Sequence, residues 1–239
     1  MEESKPAGKL YLIPTLMGDV EPLEVLPLAI KKVIDMTDYF IVENEKSARA
    51  FIKRVHPGKS QEKLIISVLN KYTEAGDVPN FLDPCLEGQH IGVLSEAGAP
   101  GIADPGADVV SLAHQKNIRV VPLVGPSSIL MAMMASGMNG QNFAFSGYLP
   151  IDKAERTQRI KKLEKQSRDN AQSQIFMETP YRNEKFLQHL ISVCAPATQL
   201  CVACDISLPT EYIKTAPMSW WKNNIPPLEK RPTIFVLQA

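Results

Sequence analysis

Short apolar runs alternate with amphipathic segments through the first half of the chain. In the intervening segments, apolar residues recur at the spacing of one helix face. The alternation predicts βαβ units and a mostly parallel sheet. The predicted strands are residues 10–13, 39–42, 64–68, 91–94 and 118–124, and the predicted helices are residues 20–34, 47–54, 78–87 and 108–115.

A second series of elements follows a helix predicted over residues 129–137. It has its own strands, and we predict that they form a separate, mixed sheet. The fold class is therefore α/β with two α/β domains, residues 1–124 and 125–239. The predicted strands are residues 143–148, 174–178, 200–204, 211–215 and 233–237, and the predicted helices lie within 153–168 and 183–191.

The strand at residues 91–94 runs into a loop that is rich in glycine and proline. Glycine permits positive φ and close backbone approach, while proline fixes φ, so such a loop can present its amides in one shape. A ligand site and a plain connection are both compatible with this pattern. The loop is not a P-loop, since no G-x-x-x-x-G-K-[ST] occurs. It also differs from a dinucleotide-binding turn, which runs straight into a helix, because Pro100 and Pro105 delay the helix here.

A second turn, Gly125-Pro-Ser-Ser128, precedes a helix. Its hydroxyls and amides suit a polar or anionic ligand, and simple helix capping explains them equally well. The later helix over residues 153–168 carries seven Lys and Arg residues. A solvated helix is the favoured interpretation, and contact with nucleic acid is the alternative.

Composition changes this picture little. The 239 residues are 44% hydrophobic and 22% charged, as in ordinary globular proteins, and a net charge of zero argues against nonspecific attraction to nucleic acid. No apolar run reaches membrane-spanning length, and the polar start Met1–Pro6 is unlike a signal peptide, so a cytoplasmic location is expected. The pair Cys201 and Cys204 is interpreted as buried thiols in a strand, and the scattered histidines predict no metal site.

Several motifs together resemble one known family. They are residues 8–19, 95–106, 121–128, 147–150 and 178–182, which cover nearly the whole chain in order. These blocks look like the signature blocks of the tetrapyrrole methylases, and they are closest to the branch that methylates a ribose 2′-hydroxyl in small-subunit ribosomal RNA.

The resemblance implies an S-adenosylmethionine-dependent methyltransferase with the cofactor in a cleft between two domains, usually a homodimer. Its substrate would be RNA or a ribosomal subunit, at the ribose of a small-subunit cytidine. The implied cofactor contacts are Pro14, Glu96, Ala97, Gly98, Ala99, Ile102, Asp104, Ser127, Ser128 and Met177.

A ribose hydroxyl is a poor nucleophile and benefits from a base. Carboxylates at strand ends that could serve are Glu43 and Glu178, with Asp205 a further candidate. For the substrate we predict contacts from Lys46, Tyr181 and Arg182.

The chain departs from the RNA-methylating branch at several motifs. Thr15-Leu-Met-Gly-Asp19 replaces Thr-Pro-Ile-Gly-Asn, Glu43-Asn-Glu-Lys46 replaces Glu-Asp-Thr-Arg, and Cys204-Asp-Ile-Ser-Leu208 replaces Arg-Glu-Leu-Thr-Lys. The small C-terminal extension of that branch is also not found in this sequence. Two alternatives therefore stay open: a methyltransferase for a tetrapyrrole or another small molecule, and a cofactor-binding protein that has lost catalysis.

Overall fold

The computed structural model describes residues 7–74 and 76–239. The predicted absence of a signal peptide concerns Met1–Pro6, which lies outside these residues. The chain divides into two units, the first ending at Ser127 and the second beginning at Ser128. The predicted boundary, after residue 124, falls slightly earlier.

The first unit contains a five-stranded sheet in the order β3-β2-β4-β1-β5, and every neighbouring pair is parallel. The predicted parallel N-terminal sheet is confirmed. The strands are β1 Lys9–Ile13, β2 Tyr39–Val42, β3 Ile65–Val68, β4 Ile91–Leu94 and β5 Arg119–Pro122.

The central strand β4 is buried at all four of its positions. A strand covered on both faces reads as a continuous apolar run, which is why this stretch is recognisable in the sequence. Its alternate residues enter two cores. Leu94 packs with Phe40, Ile30 and Ile52 on one face, while Ile91 and Val93 pack with Val109 and Leu82 on the other.

The helices of this unit differ from prediction in two places. Residues 20–34 were expected to form one helix, but the chain forms two, because Pro27 has no N–H to donate and disfavours helical conformation in the residue before it. Residues 78–87 form a 3-10 helix, Val78–Leu82, before a short α-helix. The α-helices are α1 Pro22–Val25, α2 Leu28–Met36, α3 Glu45–Val55, α4 Asp83–Leu86 and α5 Gly106–Gln115.

The second unit has a mixed five-stranded sheet in the order β6-β7-β10-β8-β9, as predicted. The pair β6 and β7 is parallel, and the other three pairs are antiparallel. The strands are β6 Phe143–Tyr148, β7 Ser173–Met177, β8 Gln199–Cys204, β9 Tyr212–Pro217 and β10 Thr233–Gln238. The helices are α6 Ser128–Ser136, α7 Lys153–Asn170, α8 Asn183–Val193 and α9 Met218–Trp221, with a 3-10 helix at Pro180–Arg182.

Aromatic side chains fill the core of the second unit. Phe176, Phe186 and Phe235 contact one another with ring centroids 5.2–6.2 Å apart, and Trp221 is fully buried in the same cluster. Both members of the C-x-x-C pair are buried free thiols within β8, as the sequence predicted. In the described part of the chain, no helix is both long enough and apolar enough to cross a membrane.

His189 of α8 is buried against the polar start of α7. The Arg156 Nε donates to its Nδ1 at 2.8 Å, and its Nε2 lies 2.9 Å from the Thr157 hydroxyl, which itself donates to the Lys153 carbonyl. The ring is therefore neutral, with its proton on Nε2. Burial lowers the pKa of His189, and the positive charges of Arg156 and Lys153 lower it further.

Acid should therefore destabilise the second unit through this residue. A histidine whose folded pKa is depressed contributes stability above its unfolded pKa, about 6.5, and that stability is lost as the pH falls. We expect the unfolding free energy of the wild type to fall more steeply between about pH 7 and pH 5 than that of His189→Gln. Both tryptophans, Trp220 and Trp221, lie in the second unit, so urea unfolding followed by their fluorescence makes the measurement.

His114→Gln provides the control, since His114 is exposed on a helix of the first unit. It should follow the wild-type pH profile. Parallel profiles for wild type and His189→Gln would contradict the assignment.

Candidate functional site

The carboxyl ends of β1, β2 and β4 lie side by side in the first unit. Leu94 pairs with Ile13 on one side and with Val42 on the other, so the chain leaves the sheet at one level as Pro14, Glu43 and Ser95. Ligands of parallel α/β sheets bind outside this edge. Many of the predicted site residues follow these three strands directly.

The glycine-proline loop after β4 is held by its own hydrogen bonds. The Ser95 hydroxyl donates to the Gly98 carbonyl at 2.9 Å, and the Thr15 N–H donates to the same oxygen at 2.9 Å. Gly98 has a φ of +72°, a conformation that side chains disfavour. These bonds join the loop after β1 to the loop after β4.

The carboxylate of Asp104 organises the second half of this loop. Both of its oxygens accept from the Gly101 N–H at 2.9 Å, and Oδ1 also accepts from the Gly106 N–H at 2.8 Å. Between them Ala103 has a φ of +60°, so these bonds hold a strained residue. The contact of Asp104 with cofactor stays a prediction, and the structure gives its carboxylate a positioning role.

The loop after β5 closes against the loop after β1. A Cβ on Gly125 would lie 2.3 Å from the Cβ of Pro14, so only glycine fits there. Gly125 begins the second turn singled out in the sequence. The two serines of this turn belong to different units. Ser127 is the last residue of the first unit, and Ser128 begins α6 in the second.

Three carboxylates gather at the ends of β2 and β4. Burial raises the pKa of Glu43, the N–H of Glu96 donates to it and lowers the pKa in part, and the negative charges of Asp104 and Glu96 raise it again. The Glu96 Oε1 accepts from the Ser47 hydroxyl at 2.7 Å. Glu43 thus combines partial burial with negative neighbours, as carboxylates suited to proton transfer do.

Two cavities of about 370 Å³ each flank the loop after β1. The first, called here the loop cavity, is lined by Pro14, Ala99, Pro100, Ile102, Ala107 and Leu123 among others. The second, called the helix cavity, is lined by Thr15, Ser47, Ala50, Phe51, Arg54 and Glu96 among others. The residues predicted to contact the cofactor therefore line two different cavities. Pro14, Ala99 and Ile102 line the loop cavity, and Glu96 and Ala97 line the helix cavity.

Lys46 lies in the exposed first turn of α3. The helix begins at the Asn44 side chain, which accepts from the Lys46 and Ser47 N–H groups at 2.9 and 3.2 Å. Three residues that line the helix cavity were not predicted from the sequence: Ser47, Phe51 and Arg54. Their spacing along the sequence places them on one face of α3, and this spacing could have identified them as a group before the structure was known.

The candidate residues of the second unit are engaged with one another. The carboxylate of Glu178, with only 2% of its side chain exposed, accepts from Arg182 Nη2 at 2.6 Å and from the Thr179 N–H at 2.6 Å. Arg182 also donates to the Thr179 hydroxyl at 3.1 Å. Arg182 thus holds Glu178, and its contact with substrate stays a prediction, as does that of Tyr181, which is 75% exposed. Met177 ends β7 immediately before Glu178.

Asp205 is held in the same manner. It accepts from Arg231 Nε at 2.8 Å and from the Thr210 hydroxyl at 2.7 Å, and it is 7% exposed. Each of these two buried carboxylates therefore has an arginine as its partner. Within residues 7–74 and 76–239, no three His, Cys, Asp or Glu side chains come together as metal ligands would.

No protein-family model matches the chain. Ribosomal RNA small subunit methyltransferase I from Vibrio cholerae is 29% identical over 214 residues, which are 88% of this chain and 69% of that protein. The proteins of the same name from Escherichia coli O157:H7 and Buchnera aphidicola are 27% and 26% identical. The alignments cover 91% and 100% of this chain and 73% and 81% of those proteins.

Solved structures match nearly the whole chain. The methyltransferase CobJ superposes with a TM-score of 0.65 at 15% identity, covering 97% of this chain and 94% of its own. Uroporphyrin-III C-methyl transferase from Thermus thermophilus, complexed with S-adenyl homocysteine, gives 0.56 at 14% identity, with 97% of both chains covered. At such identities the likeness concerns the fold. The chain has the fold of the tetrapyrrole methylases, as its motifs predicted.

Proposed function

We propose that the chain is an S-adenosylmethionine-dependent methyltransferase that acts on ribosomal RNA, at the ribose 2′-hydroxyl of a small-subunit cytidine. One observation carries this proposal. A glycine-proline loop held by its own hydrogen bonds lies at the carboxyl edge of a parallel sheet. The chain that carries this loop is related over 88–100% of its length to proteins named ribosomal RNA small subunit methyltransferase I.

The loop cavity has features that fit part of the cofactor. Its volume of about 370 Å³ is of the size that small-molecule sites have, and its walls are largely apolar, as the adenosine group requires. In the described part of the chain, the N–H groups of Gly98 and Ala99 have no intramolecular acceptor. The carboxylates of Glu43, Glu96 and Asp104 favour a positively charged ligand nearby. When bound, S-adenosylmethionine supplies the electrophilic methyl group.

The residues of the chain would mainly hold the acceptor in position and accept its proton. Methyl transfer is an in-line displacement, so holding the acceptor aligned supplies much of the rate. Of the three candidate bases, Glu178 and Asp205 each accept a hydrogen bond from an arginine, so their carboxylates are already engaged. Glu43 has no salt-bridge partner in the described residues, and its pKa is raised. Glu43 is therefore the proposed base, and Glu178 a positioning residue.

Basic side chains on α7 favour an RNA acceptor. Lys161, Lys162 and Arg168 are exposed and have no salt-bridge partner in residues 7–74 and 76–239, whereas Lys165 pairs with Asp169. Lys161 and Arg168 are spaced to lie on one helix face. Homodimeric assembly, a cytoplasmic location and a cofactor cleft between the two units stay predictions from the sequence.

The cofactor proposal is tested by filling the loop cavity. Wild-type protein should bind S-adenosylmethionine and S-adenosylhomocysteine with micromolar affinity, about −8 kcal/mol, in calorimetric titrations. Ala107→Trp should weaken both at least about tenfold, because the indole occupies the cavity. Ser111→Trp, on the same helix but outside the cavity, is the control. Unaltered binding by Ala107→Trp would exclude the loop cavity, and no binding by the wild type would refute the enzyme class.

The role of Glu43 is tested by kinetics. Glu43→Gln keeps an acceptor for the Glu96 N–H and should lower kcat on small-subunit RNA by roughly 100-fold, with the affinity for S-adenosylhomocysteine, whose sulfur is uncharged, unaltered. The pKa of Glu43 is raised, and a base must be deprotonated to act. As the pH is lowered, wild-type kcat should therefore begin to decline at a higher pH than it would with an ordinary carboxylate as the base.

Glu45→Gln, which removes a carboxylate paired with Arg49, should behave as wild type. Full activity of Glu43→Gln would eliminate the base assignment. Methyl transfer to uroporphyrinogen but not to RNA would favour the small-molecule alternative, and cofactor binding with no transfer to either would favour lost catalysis.

The RNA surface is tested by salt dependence. Removing two phosphate contacts with Lys161→Gln/Arg168→Gln should reduce the slope of log affinity against log salt by about 1.5. Lys31→Gln/Lys32→Gln removes the same charge from exposed positions of α2 and should leave the slope unchanged. Equal slopes for both double variants would exclude α7 from the interface.

A further inference from the structure

The turn after β3 lies beside the proposed base. The Leu69 N–H donates to the Val42 carbonyl at 2.8 Å, so β2 and β3 stay paired to the point where both strands end. The next residues are Glu43 after β2 and Asn70 after β3, and Asn70 Nδ2 lies 3.5 Å from the Glu43 carbonyl oxygen. Residues 70–73, called here the β3 turn, are therefore at the carboxyl edge of the sheet, where ligands of parallel sheets bind.

Hydrogen bonds within the β3 turn fix its backbone. The Asn70 side chain accepts from the Tyr72 N–H at 2.9 Å, and the Asn70 carbonyl accepts from the Thr73 N–H at 3.0 Å. The Thr73 hydroxyl accepts from the Asn70 N–H at 2.9 Å and donates to the Val68 carbonyl at 3.0 Å. Side chains that bond to the nearby backbone in this way hold a turn in one shape. The exposed side chains of Lys71 and Tyr72 therefore extend from an ordered backbone.

The β3 turn holds an aromatic ring in solvent. Tyr72 is 79% exposed, whereas Tyr11 of β1 is 7% exposed. A tyrosine in a core contributes to stability through the area that it buries, and the Tyr72 ring buries little of its own. The fold gains little from this ring. An exposed ring on an ordered turn is suited to stacking against a ligand, because little backbone entropy is lost on binding.

Two unpaired lysines accompany the ring at this edge. Lys71 Nζ lies 4.8 Å from the centroid of the Tyr72 ring, a cation–π contact that uses one face, and the exposure of the ring leaves its other face to solvent. Lys46, three residues after Glu43, is exposed as well. Within residues 7–74 and 76–239, neither lysine forms a salt bridge. Proteins bind single-stranded nucleic acid through this combination of aromatic faces and free positive charge.

We propose that the β3 turn is a stacking platform for an unpaired base of the acceptor RNA, with Tyr72 stacking on a nucleotide next to the acceptor and Lys71 contacting a backbone phosphate. This inference rests on the proposed RNA methyltransferase function. Every base has a π-face, so the platform adds affinity and holds the strand near Glu43 without selecting a sequence.

Binding of short RNA to ring variants provides the test. A labelled RNA of mixed sequence is titrated by fluorescence anisotropy, both single-stranded and annealed to its complement, with S-adenosylhomocysteine at saturation. Tyr72→Ala should weaken binding of the single strand at least about fivefold, as the loss of one stacked base does. Tyr72→Phe keeps the ring and should bind as the wild type does. The effect of Tyr72→Ala should disappear with the duplex, whose bases are stacked on one another.

Leu86→Ala provides the control. Leu86 is also exposed, but it ends α4 shortly before the amino end of β4, at the other edge of the sheet. Its replacement should leave RNA affinity unchanged. Because the Tyr72 ring is exposed, Tyr72→Ala should unfold in urea as the wild type does, which separates lost binding from lost folding.

Salt dependence separates the charge of Lys71 from the stacking of Tyr72. Lys71→Gln should reduce the slope of log affinity against log salt by about 0.7, the value for one phosphate contact on a single strand. Tyr72→Ala removes no charge and should leave the slope unchanged.

Unaltered single-strand affinity in Tyr72→Ala would overturn the inference, and so would an equal loss in Tyr72→Phe, in Leu86→Ala or with duplex RNA. An unchanged salt slope in Lys71→Gln would refute the phosphate contact. A loss of S-adenosylhomocysteine affinity in Tyr72→Ala would also overturn the inference and assign the ring to the cofactor. Methyl transfer to small-subunit RNA by the wild type is measured in parallel. Ring-dependent RNA binding without transfer would refute the proposed function and leave the platform standing, and transfer with unaltered RNA affinity in Tyr72→Ala would do the reverse.

Discussion

The candidate site depends on the carbonyl oxygen of Gly98. It accepts one hydrogen bond from the buried Ser95 hydroxyl and another from the Thr15 N–H, each contributing about 1 kcal/mol net. Together they fix the loop after β1 against the loop after β4. Since Pro14 lines one cavity and Thr15 the other, this single oxygen sets the wall that the two cavities share.

The carboxylates that follow strands have different neighbours in the two units. In the second unit, Glu178 and Asp205 each pair with an arginine, and a buried charge without such a partner is costly. In the first unit, burial raises the pKa of Glu43, and the like charges of Asp104 and Glu96 raise it further. Carboxylates that follow strands are therefore paired with arginine in the second unit, whereas Glu43 in the first unit has negatively charged neighbours.

Much of the fold could be predicted from the sequence. Buried strands of parallel sheets are short apolar runs, and the glycine-proline loop is conspicuous because those residues restrict or free φ. The break at Pro27 and the four-residue helix α9 were missed, the first because the apolar pattern continues across the proline. The helix cavity was missed because it forms only when α3 packs beside the loop after β1. The pairing of Glu178 with Arg182 was overlooked, although four residues separate them.

Strand order has a consequence for synthesis of the chain. In the second unit β10, at Thr233–Gln238, occupies the centre of the sheet between β7 and β8, so neither of these can complete its pairing until the final strand has been made. At translation rates of roughly 5–20 residues per second, β7 waits about 3–12 seconds for β10 with one apolar strand edge exposed. The sheet therefore closes only once β10 has been synthesised, and until then the edges of β7 and β8 are open to pairing with other strands.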